Sequence, residues 1–466
     1  MTRFRRAVYG FAALMLVNTG VKAGVDMKVL QERAAALLRE YIRVDTVNPP
    51  GNESRGVKFF ARIFEQEGIP YETAESAPGR GNISARLRGG DKPALILLSH
   101  MDVVPADPAD WEVDPFAGVV RDGYIYGRGA LDMKSIGIVF LQVLRALHDA
   151  GRPLDRDVIF VATADEEAGG NYGAGWLVKN RPEWFRGAGM LLTEGGGGTT
   201  YGDTQVFSIE VAQKFPLWLR LTAADEPGHG ASPRVSSAPG RLVAALSRLQ
   251  NHAFTPHIVA SVDAYFKGLA GLQEDGVWRA AYANIPEAIK DPEFPLRLQL
   301  HNHGHHALIR NTCSITRLQG SDKINVVPQE AGAEIDCRLL PDQDPGEFLE
   351  LVKTVINDPR IRIEVIMTFS AAASRTGTPL YQALTSGIKQ YYPKAVILPG
   401  VSGGFTDSHY FRDLGIASYG FAPFLIAPEE AGTVHGNNER ISIANLKQGV
   451  PMLVDIINHV VYESNR

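Results

Sequence analysis

The sequence predicts an α/β fold in which a doubly wound, mostly parallel sheet is interrupted by an inserted α+β domain. Three observations lead to this prediction. Between residues 29 and 206, short apolar runs alternate with segments of helical periodicity, which is the pattern of a doubly wound sheet. From residue 207 the strand-like segments alternate apolar and polar residues, as strands with one exposed face do. After residue 378 the first pattern returns.

Each predicted element follows from its local pattern. Continuous apolar runs bounded by turn residues predict buried strands, whereas strict alternation predicts strands with one solvent face. Residues 48–51 (Asn-Pro-Pro-Gly) interrupt a helical segment, because consecutive prolines end a helix. The predicted strands are residues 93–99, 157–164, 189–193, 215–222, 334–339, 361–367 and 417–421. The predicted helices are two segments within residues 29–67, then residues 136–147, 238–249, 381–391 and 443–462, with an irregular region up to about residue 311.

The chain is long enough for more than one domain, since 466 residues exceed a usual single core. Its 45% hydrophobic residues, with 47 Gly and 28 Pro, exclude a disordered or fibrous protein. We predict a leader at residues 1–23, a sheet domain in two parts at residues 24–210 and 373–466, and the inserted domain at residues 211–372.

Residues 1–23 have the features of a secretory signal peptide. Basic residues come first, residues 7–20 are mostly apolar, and small residues precede a cleavage site near Ala23. The apolar part has about fourteen residues, whereas a membrane span needs about twenty. We therefore predict export, to the periplasm or outside the cell, and no stable membrane span. A retained membrane anchor is the alternative.

Charge and cysteine content limit the partners. The formal net charge is −5, and removal of the leader takes away four basic residues and no acidic one. Such an acidic protein is a poor nucleic-acid binder, because the phosphates repel it. Cys313 and Cys337 could pair in an oxidising compartment, or they could remain two buried thiols. The sequence alone does not decide between these alternatives.

Side chains of the types that bind metal follow several of the predicted strands. In an open α/β sheet, ligands bind beyond the carboxyl ends of the parallel strands, so these side chains should converge at one edge. Another such residue follows a Gly-rich turn, and a last one occurs late in the chain. The residues are His100, Asp102, Asp132, Glu166, Glu167, Glu194 and His435.

Carboxylates this close together would repel one another unless cations lay among them. Zinc binds imidazole and carboxylate groups, and two-metal sites hold their ions about 3.5–4 Å apart through shared ligands. We therefore predict two zinc ions, for which cobalt or manganese could substitute. In the pair Glu166-Glu167 one side chain can bind metal while the other accepts a proton from water. Asp102, two residues after His100, can accept the second imidazole N–H.

These motifs resemble the co-catalytic zinc amidohydrolase and exopeptidase family of aminoacylase-1, carboxypeptidase S, glutamate carboxypeptidase and succinyl-diaminopimelate desuccinylase. The similarity is greatest to the carboxypeptidase S type, and it rests on residues 46–53, 98–105, 126–134, 165–167, 194–196 and 433–440. It implies that His100 and Glu194 bind one ion, that Glu167 and His435 bind the other, that Asp132 bridges them, and that Glu166 is the general base. It also implies a cis peptide bond between Asp132 and Met133.

The resemblance further implies residues that contact the substrate. His229, in the inserted domain, would stabilise the oxyanion of the scissile carbonyl, often from the other subunit of a homodimer. Asn325 and Arg338 would bind substrate, with Arg338 on its free carboxylate. Gly404 belongs to a loop on the substrate side of the last ligand. The inserted domain would then act as a lid and dimerisation domain.

Together the motifs and the resemblance predict an exported two-zinc metallo-exopeptidase that cleaves an amide bond next to a free carboxylate. Its substrate would be a short peptide, for a carboxypeptidase, or an N-acyl amino acid, for an amidohydrolase. Metal-activated water would attack the carbonyl, with Glu166 as general base. One rival is a metal-dependent aminopeptidase or dipeptidase, which should have an acidic residue in place of Arg338. Another is a non-catalytic metal or peptide binder, which would not need Glu166.

Three further clusters have plainer interpretations. His409 is the alternative to His435 as last ligand, but His435 lies in the matching His-Gly-x-x-Glu-Arg context and His409 is predicted to be helical or to support a ligand. The His-rich tract at residues 301–306 is predicted to be a solvated loop or a subunit contact. Glu429-Glu430 is predicted to be a solvated pair.

Overall fold

The computed structural model describes residues 26–462, so the predicted leader at residues 1–23 lies outside the described residues. Over residues 26–462, no helix is both long and apolar enough to cross a membrane. The helices of this part of the chain are α1 (Met27–Ile42), α2 (Ser54–Glu67), α3 (Lys134–Ala150), α4 (Ala174–Asn180), α5 (Ala238–Gln250), α6 (Ala260–Ala270), α7 (Gly276–Ala283), α8 (Ile285–Ala288), α9 (Phe294–His301), α10 (His303–Leu308), α11 (Pro345–Ile356), α12 (Pro379–Tyr391), α13 (Ser408–Arg412), α14 (Pro428–Ala431) and α15 (Ile443–Val461).

The strands are grouped into a large sheet, a four-stranded sheet and two small ones. They are β1 (Tyr71–Glu75), β2 (Gly81–Leu87), β3 (Lys92–His100), β4 (Val119–Arg121), β5 (Tyr124–Tyr126), β6 (Arg156–Thr163), β7 (Ala188–Thr193), β8 (Gly197–Tyr201), β9 (Thr204–Gln213), β10 (Phe215–Ala224), β11 (Gly228–His229), β12 (Thr312–Gln319), β13 (Val326–Val327), β14 (Glu330–Leu339), β15 (Ile361–Thr368), β16 (Val396–Ser402), β17 (Ala417–Gly420) and β18 (Arg440–Ser442).

The large sheet has the order β1-β2-β6-β3-β7-β17-β9-β16, with β8 beside β9. Its central strands β6, β3, β7 and β17 are parallel, and antiparallel pairs occur towards its edges. Successive residues of β3 enter different cores: Leu95 and Leu97 pack with the cluster around α1, α3 and α15, whereas Ile96 and Leu98 pack with Trp184 and Phe411 on the opposite face. Helices therefore cover both faces, which confirms the predicted fold class.

The four-stranded sheet, in the order β12-β14-β10-β15, is antiparallel. Leu217, Leu219 and Leu221 of β10 point to a core shared with α5 and α11, and Arg220 between them pairs with Glu334 on the exposed face. This alternation is the pattern from which the strands were predicted. Cys313 of β12 and Cys337 of β14 lie opposite each other and form a disulfide, so the structure selects this alternative over two free thiols.

The prediction of an irregular region up to residue 311 is wrong, because residues 260–308 form α6 to α10. Val262, Phe266 and Leu269 follow helical spacing and pack into the core of the large sheet, beside β16. The prolines of this region do not break its helices. Pro286 and Pro295 lie in the first turns of α8 and α9, where a missing N–H costs nothing, so they begin helices there.

Candidate metal centre

Three neighbouring strands bring most of the predicted ligands together. In the large sheet β3 lies between β6 and β7, and all three are parallel. His100 is the last residue of β3, a 3-10 turn at Glu166–Ala168 follows β6, and Glu194 directly follows β7. The carboxyl ends of these strands therefore deliver imidazole and carboxylate groups to one edge, as the sequence predicted.

Asp132 lies between two imidazoles. Its Oδ1 is 3.1 Å from His100 Nε2, and its Oδ2 is 3.1 Å from His435 Nε2. His100 Nε2 also lies 3.6 Å from Glu194 Oε1, and His435 Nε2 lies 3.1 Å from Glu167 Oε2. Each imidazole is thus paired with its own glutamate, and the two carboxylate oxygens of Asp132 face different pairs.

This donor set fits divalent metal ions. Two groups of three residues each offer donor atoms that lie within 4.8 Å of one another. One group is His100, Glu166 and Glu194, and the other is His100, Asp132 and Glu167. Glu167 Oε1 is buried and has no hydrogen-bond partner among the described residues, so it is a free acceptor in the cluster. Imidazole nitrogen and carboxylate oxygen are the ligands that zinc and related ions bind.

The cluster has an excess of negative charge. Burial, with Asp132 nearby, raises the pKa of Glu194 to about 8. Burial and the charge of Glu194 raise the pKa of Glu166 well above its usual range. Hydrogen bonds to Asp132 and Glu167 raise the pKa of His435 to about 10. Without cations these groups compete to take up protons, and divalent cations would supply the missing positive charge.

Asp102 has a wider role than the predicted contact with His100. The imidazole Nδ1 of His100 lies 3.0 Å from the backbone oxygen of Asp102 and 3.5 Å from its carboxylate, so the backbone oxygen is the nearer acceptor. The carboxylate instead accepts the backbone N–H groups of Glu166 and Glu167 at 3.1 Å. It also accepts the Asn48 side-chain amide at 2.8 Å. Asp102 therefore fixes the turn that contains Glu166.

A buried ion pair joins the segments of Asp132 and His435. Glu439 accepts the backbone N–H groups of Leu131 and Asp132 at 2.7 and 3.1 Å, and it binds Arg128 Nη1 at 2.7 Å. Arg128 Nη2 donates to the backbone oxygen of Gly436, beside His435. The peptide bond between Asp132 and Met133 is cis, as the resemblance implied. Sequence reasoning gave no role to Arg128 or Glu439, although both lie in conspicuous motifs.

A second buried network supports the turn from the other side. Arg80 forms an ion pair with Asp165, the residue before Glu166, and another with Glu53 at 3.3 Å. Its Nη1 donates to the side-chain oxygen of Asn48. Arg80 and Asp165 were also missed, because their importance depends on contacts between distant segments.

The predicted substrate residues lie in two places. Arg338 and Gly404 are near each other, since the Arg338 guanidinium lies 5.3 Å from the ring of Phe405. Arg338 Nε and Nη2 donate to Asp336, while Nη1 is buried and has no partner in the described part of the chain. Asp336 therefore occupies two of the three guanidinium nitrogens that were predicted to bind a substrate carboxylate. Of the three, Nη1 remains available.

His229 and Asn325 lie at the small two-stranded sheet of β11 and β13, where Gly230 N–H donates to Asn325 O at 2.9 Å. His229 is exposed. Within residues 26–462, no hydrogen bond or ion pair joins either of them to a residue of the metal cluster.

His409 lies in α13, as predicted, and stacks on the ring of Phe369 with centroids 3.7 Å apart. Burial, together with the charge of Arg412, lowers its pKa to about 3, so it stays neutral. The two imidazoles that contact Asp132 are those of His100 and His435. The geometry favours His435 as the last ligand.

The predictions that residues 301–306 and Glu429-Glu430 are solvated are each wrong in part, because only some of their side chains are exposed. His305 and His306 are buried in α10, where burial lowers the pKa of each to about 4 and His305 bonds to the hydroxyl of Tyr282. Glu430 is buried and accepts the backbone N–H of Ser442, while Glu429 is exposed. The burial of His305, His306 and Glu430 could not be predicted from the sequence, because it depends on which distant residues pack over them.

Residues 96–459 match the family model described as peptidase family M20/M25/M40. The chain belongs to this family. It is accordingly an amide hydrolase of the metallo-exopeptidase type, as the motifs predicted. The N-fatty-acyl-amino acid synthase/hydrolase PM20D1 of Xenopus tropicalis is 32% identical over 418 residues, which cover 88% of this chain and 79% of that protein.

Solved structures share the fold. An M20 family metallo-carboxypeptidase, Sso-CP2 from Sulfolobus solfataricus, has a TM-score of 0.71 and 20% identity, and the match covers 91% of this chain and 98% of that one. The YXEP protein of Bacillus subtilis, described as a dinuclear metal binding peptidase from the M20 family, has a TM-score of 0.56 and 14% identity over 92% of this chain and 99% of that one.

Proposed function

We propose that this protein is an exported two-metal hydrolase that cleaves the amide bond next to a free carboxylate, in N-acyl amino acids or short peptides. The observation that carries the proposal is Glu166. It is a buried carboxylate 3.9 Å from His100 Nε2, beside the ligand pairs. The PM20D1 relative is named for N-fatty-acyl-amino acids and the Sso-CP2 structure is described as a metallo-carboxypeptidase, and both substrate types have an amide beside a carboxylate.

Two ions suit the ligands better than one. His100 and Glu194 would hold one ion, His435 and Glu167 the other, and Asp132 would bridge them, since its two oxygens face different imidazoles. The dinuclear description of the YXEP structure supports this number. When bound, divalent ions act as Lewis acids that acidify a water molecule and polarise the scissile carbonyl.

Glu166 would take a proton from the attacking water and return it to the leaving amine. Asp102 holds the backbone of the turn through the N–H groups of Glu166 and Glu167, so the base stays in place while it gains and loses the proton.

Arg338 would bind the carboxylate of the substrate. The guanidinium has one buried nitrogen without a partner among the described residues, and Asp336 holds the rest of it in a fixed orientation. A charged group fixed in this way binds an anion with little loss of conformational freedom. Gly404, in the exposed loop beside Phe405, would border the same site.

The active form would be a homodimer in which His229 of one subunit serves the site of the other. Within residues 26–462, no hydrogen bond or ion pair joins His229 or Asn325 to the metal cluster. Beside the two-stranded sheet of β11 and β13 lies an apolar groove whose lining includes Val243, Leu318 and Ile324, all of them well exposed. The edge strand β12 borders the groove and is open on its outer side. A second copy would cover the groove and bring its own His229 and Asn325 with it.

Export is supported by the leader pattern and by the cysteines. The disulfide between Cys313 and Cys337 suits an oxidising compartment, because cytosolic reductants keep thiols reduced.

A comparison of free and blocked carboxyl groups tests the proposed function. Zinc-loaded protein should hydrolyse N-acetyl amino acids and dipeptides, and their C-terminal amides about ten- to a hundredfold more slowly, because a charged hydrogen bond is lost. Arg338→Ala should remove most of this preference. Arg317→Ala, an exposed arginine in the same sheet, is the matched control. A requirement for a free amino group, with amides accepted, would instead indicate an aminopeptidase.

A further inference from the structure

Partly exposed aromatic rings surround the guanidinium of Arg338. Its Cζ lies 5.7 Å from the ring centre of Trp218 and 5.3 Å from that of Phe405. Phe369 packs edge-on against Phe405, with centroids 5.3 Å apart. We call Trp218, Phe369 and Phe405 the aromatic cluster. All three residues are partly exposed, and Phe369 also packs against the core of the four-stranded sheet.

The aromatic cluster also borders the loop of the proposed base. Gly169 directly follows the turn Glu166–Ala168, and a Cβ placed on it would lie 2.8 Å from Met367 Sδ and 3.9 Å from the ring of Phe369. The Tyr410 hydroxyl, in the neighbouring helix α13, donates to the Gly169 backbone oxygen at 2.7 Å. The rings therefore lie between the carboxylate-binding arginine and the turn that contains Glu166.

The space beside the rings is open. A Cβ built on Gly403 would meet no atom within 4 Å, and one on Gly404 would meet only Ser402 Oγ at 3.8 Å. Both glycines are exposed. The loop before Phe405 therefore leaves open space at Gly403 and Gly404, next to the aromatic cluster.

We propose that the aromatic cluster binds the side chain of the substrate residue whose carboxylate Arg338 holds, so that the enzyme prefers large apolar or aromatic residues at this position. The inference rests on the proposed function, since Arg338 must hold the carboxylate. In an amino acid the side chain and the carboxylate branch from one carbon, and rings within 6 Å of the guanidinium lie within reach of that side chain. Burial of such a side chain should favour it over glycine by about ten- to a hundredfold.

The same rings could serve only to hold the two sheets together. Trp218 and Phe369 belong to the four-stranded-sheet part, whereas Phe405 belongs to the large-sheet part. Loss of a ring would then lower the rate on every substrate equally. Loss of a binding surface would lower the rate only on substrates with a large side chain. The ratio of two substrates, measured on one preparation, separates these cases because it does not depend on the fraction of folded enzyme.

The experiment measures kcat/KM of the zinc-loaded protein for N-acetyl-phenylalanine, N-acetyl-leucine, N-acetyl-aspartate and N-acetylglycine. The wild type should favour phenylalanine and leucine over glycine and aspartate by about tenfold or more. Phe405→Ala should lower the phenylalanine-to-glycine ratio about five- to tenfold. Phe405→Leu, which keeps an apolar surface, should lower the ratio less. Tyr201→Ala removes a partly exposed ring elsewhere and should not change it.

A wild-type ratio near one would overturn the inference, and so would an unchanged ratio in Phe405→Ala with equal losses on all four substrates. If the N-acetyl amino acids are hydrolysed but the phenylalanine-to-glycine ratio is near one, the inference fails and the proposed function stands. Hydrolysis of none of them would overturn the proposed function, and the inference with it.

Discussion

Asp132 contacts both imidazoles of the cluster, one through each carboxylate oxygen, and is therefore our candidate for the bridging ligand. We predict that Asp132→Ala loses more bound metal than Glu167→Ala or Glu194→Ala, since a bridging carboxylate serves both ions. Metal per chain after dialysis, measured by elemental analysis, checks this ranking. Retention of two ions in Asp132→Ala would place the bridge at another residue.

His435 and His409 differ in exposure and in surroundings. His435 is 3.1 Å from both Asp132 and Glu167, whereas His409 is buried against Phe369. His435→Ala should therefore lose one ion and nearly all activity. His409→Ala should keep both ions and lose some stability. Metal analysis and thermal unfolding of the two variants side by side decide the matter, and the reverse ranking would overturn the assignment of His435.

At the scale of elements, the carboxyl ends of β3, β6 and β7 could be predicted from sequence, because continuous apolar runs identify parallel strands and the residue after each run is easily located. The candidate ligands at these strand ends could therefore be predicted as well. The supporting network could not be predicted in the same way. Arg128 and Glu439 are 311 positions apart, and nothing local indicates that they form a buried pair.

That pair joins the Asp132 loop to the His435 loop, and its loss should loosen both. We predict that Glu439→Ala lowers the free energy of unfolding of the metal-free protein by about 3–5 kcal/mol, because it leaves Arg128 buried without its partner. The variant should also bind metal more weakly. Glu429→Ala, in the same segment but exposed, is the control and should change neither property. Equal unfolding curves for the two variants would contradict the structural role of Glu439.

At the scale of the whole molecule, the two sheets were predicted because each has its own periodicity. The helices at residues 260–308 were not, because prolines that begin helices look like prolines that end them. The relation of His229 to the metal centre also could not be predicted from a single chain. It depends on how a second copy docks, which no local pattern encodes.

Subunit mixing tests whether the site is completed between chains. His229→Ala and Glu166→Gln should each be inactive on their own. Mixed after subunit exchange, they should regain part of the wild-type activity, because one of the two sites in a hybrid dimer combines an intact His229 with an intact Glu166. A labelled partner in a pull-down verifies the exchange. If exchange occurs and no activity returns, the site is completed within one chain.

The central claim is that Glu166 transfers the proton in a metal-filled site that cleaves an amide beside a carboxylate. The most direct measurement compares Glu166→Gln with the wild type on an N-acyl amino acid, with bound metal, KM and kcat determined on the same preparations. We predict an unchanged metal content, a similar KM and a kcat lower by about 10²–10⁴-fold, the contribution of a general acid–base group. A kcat within a few-fold of the wild type, at full metal content, would contradict the claim.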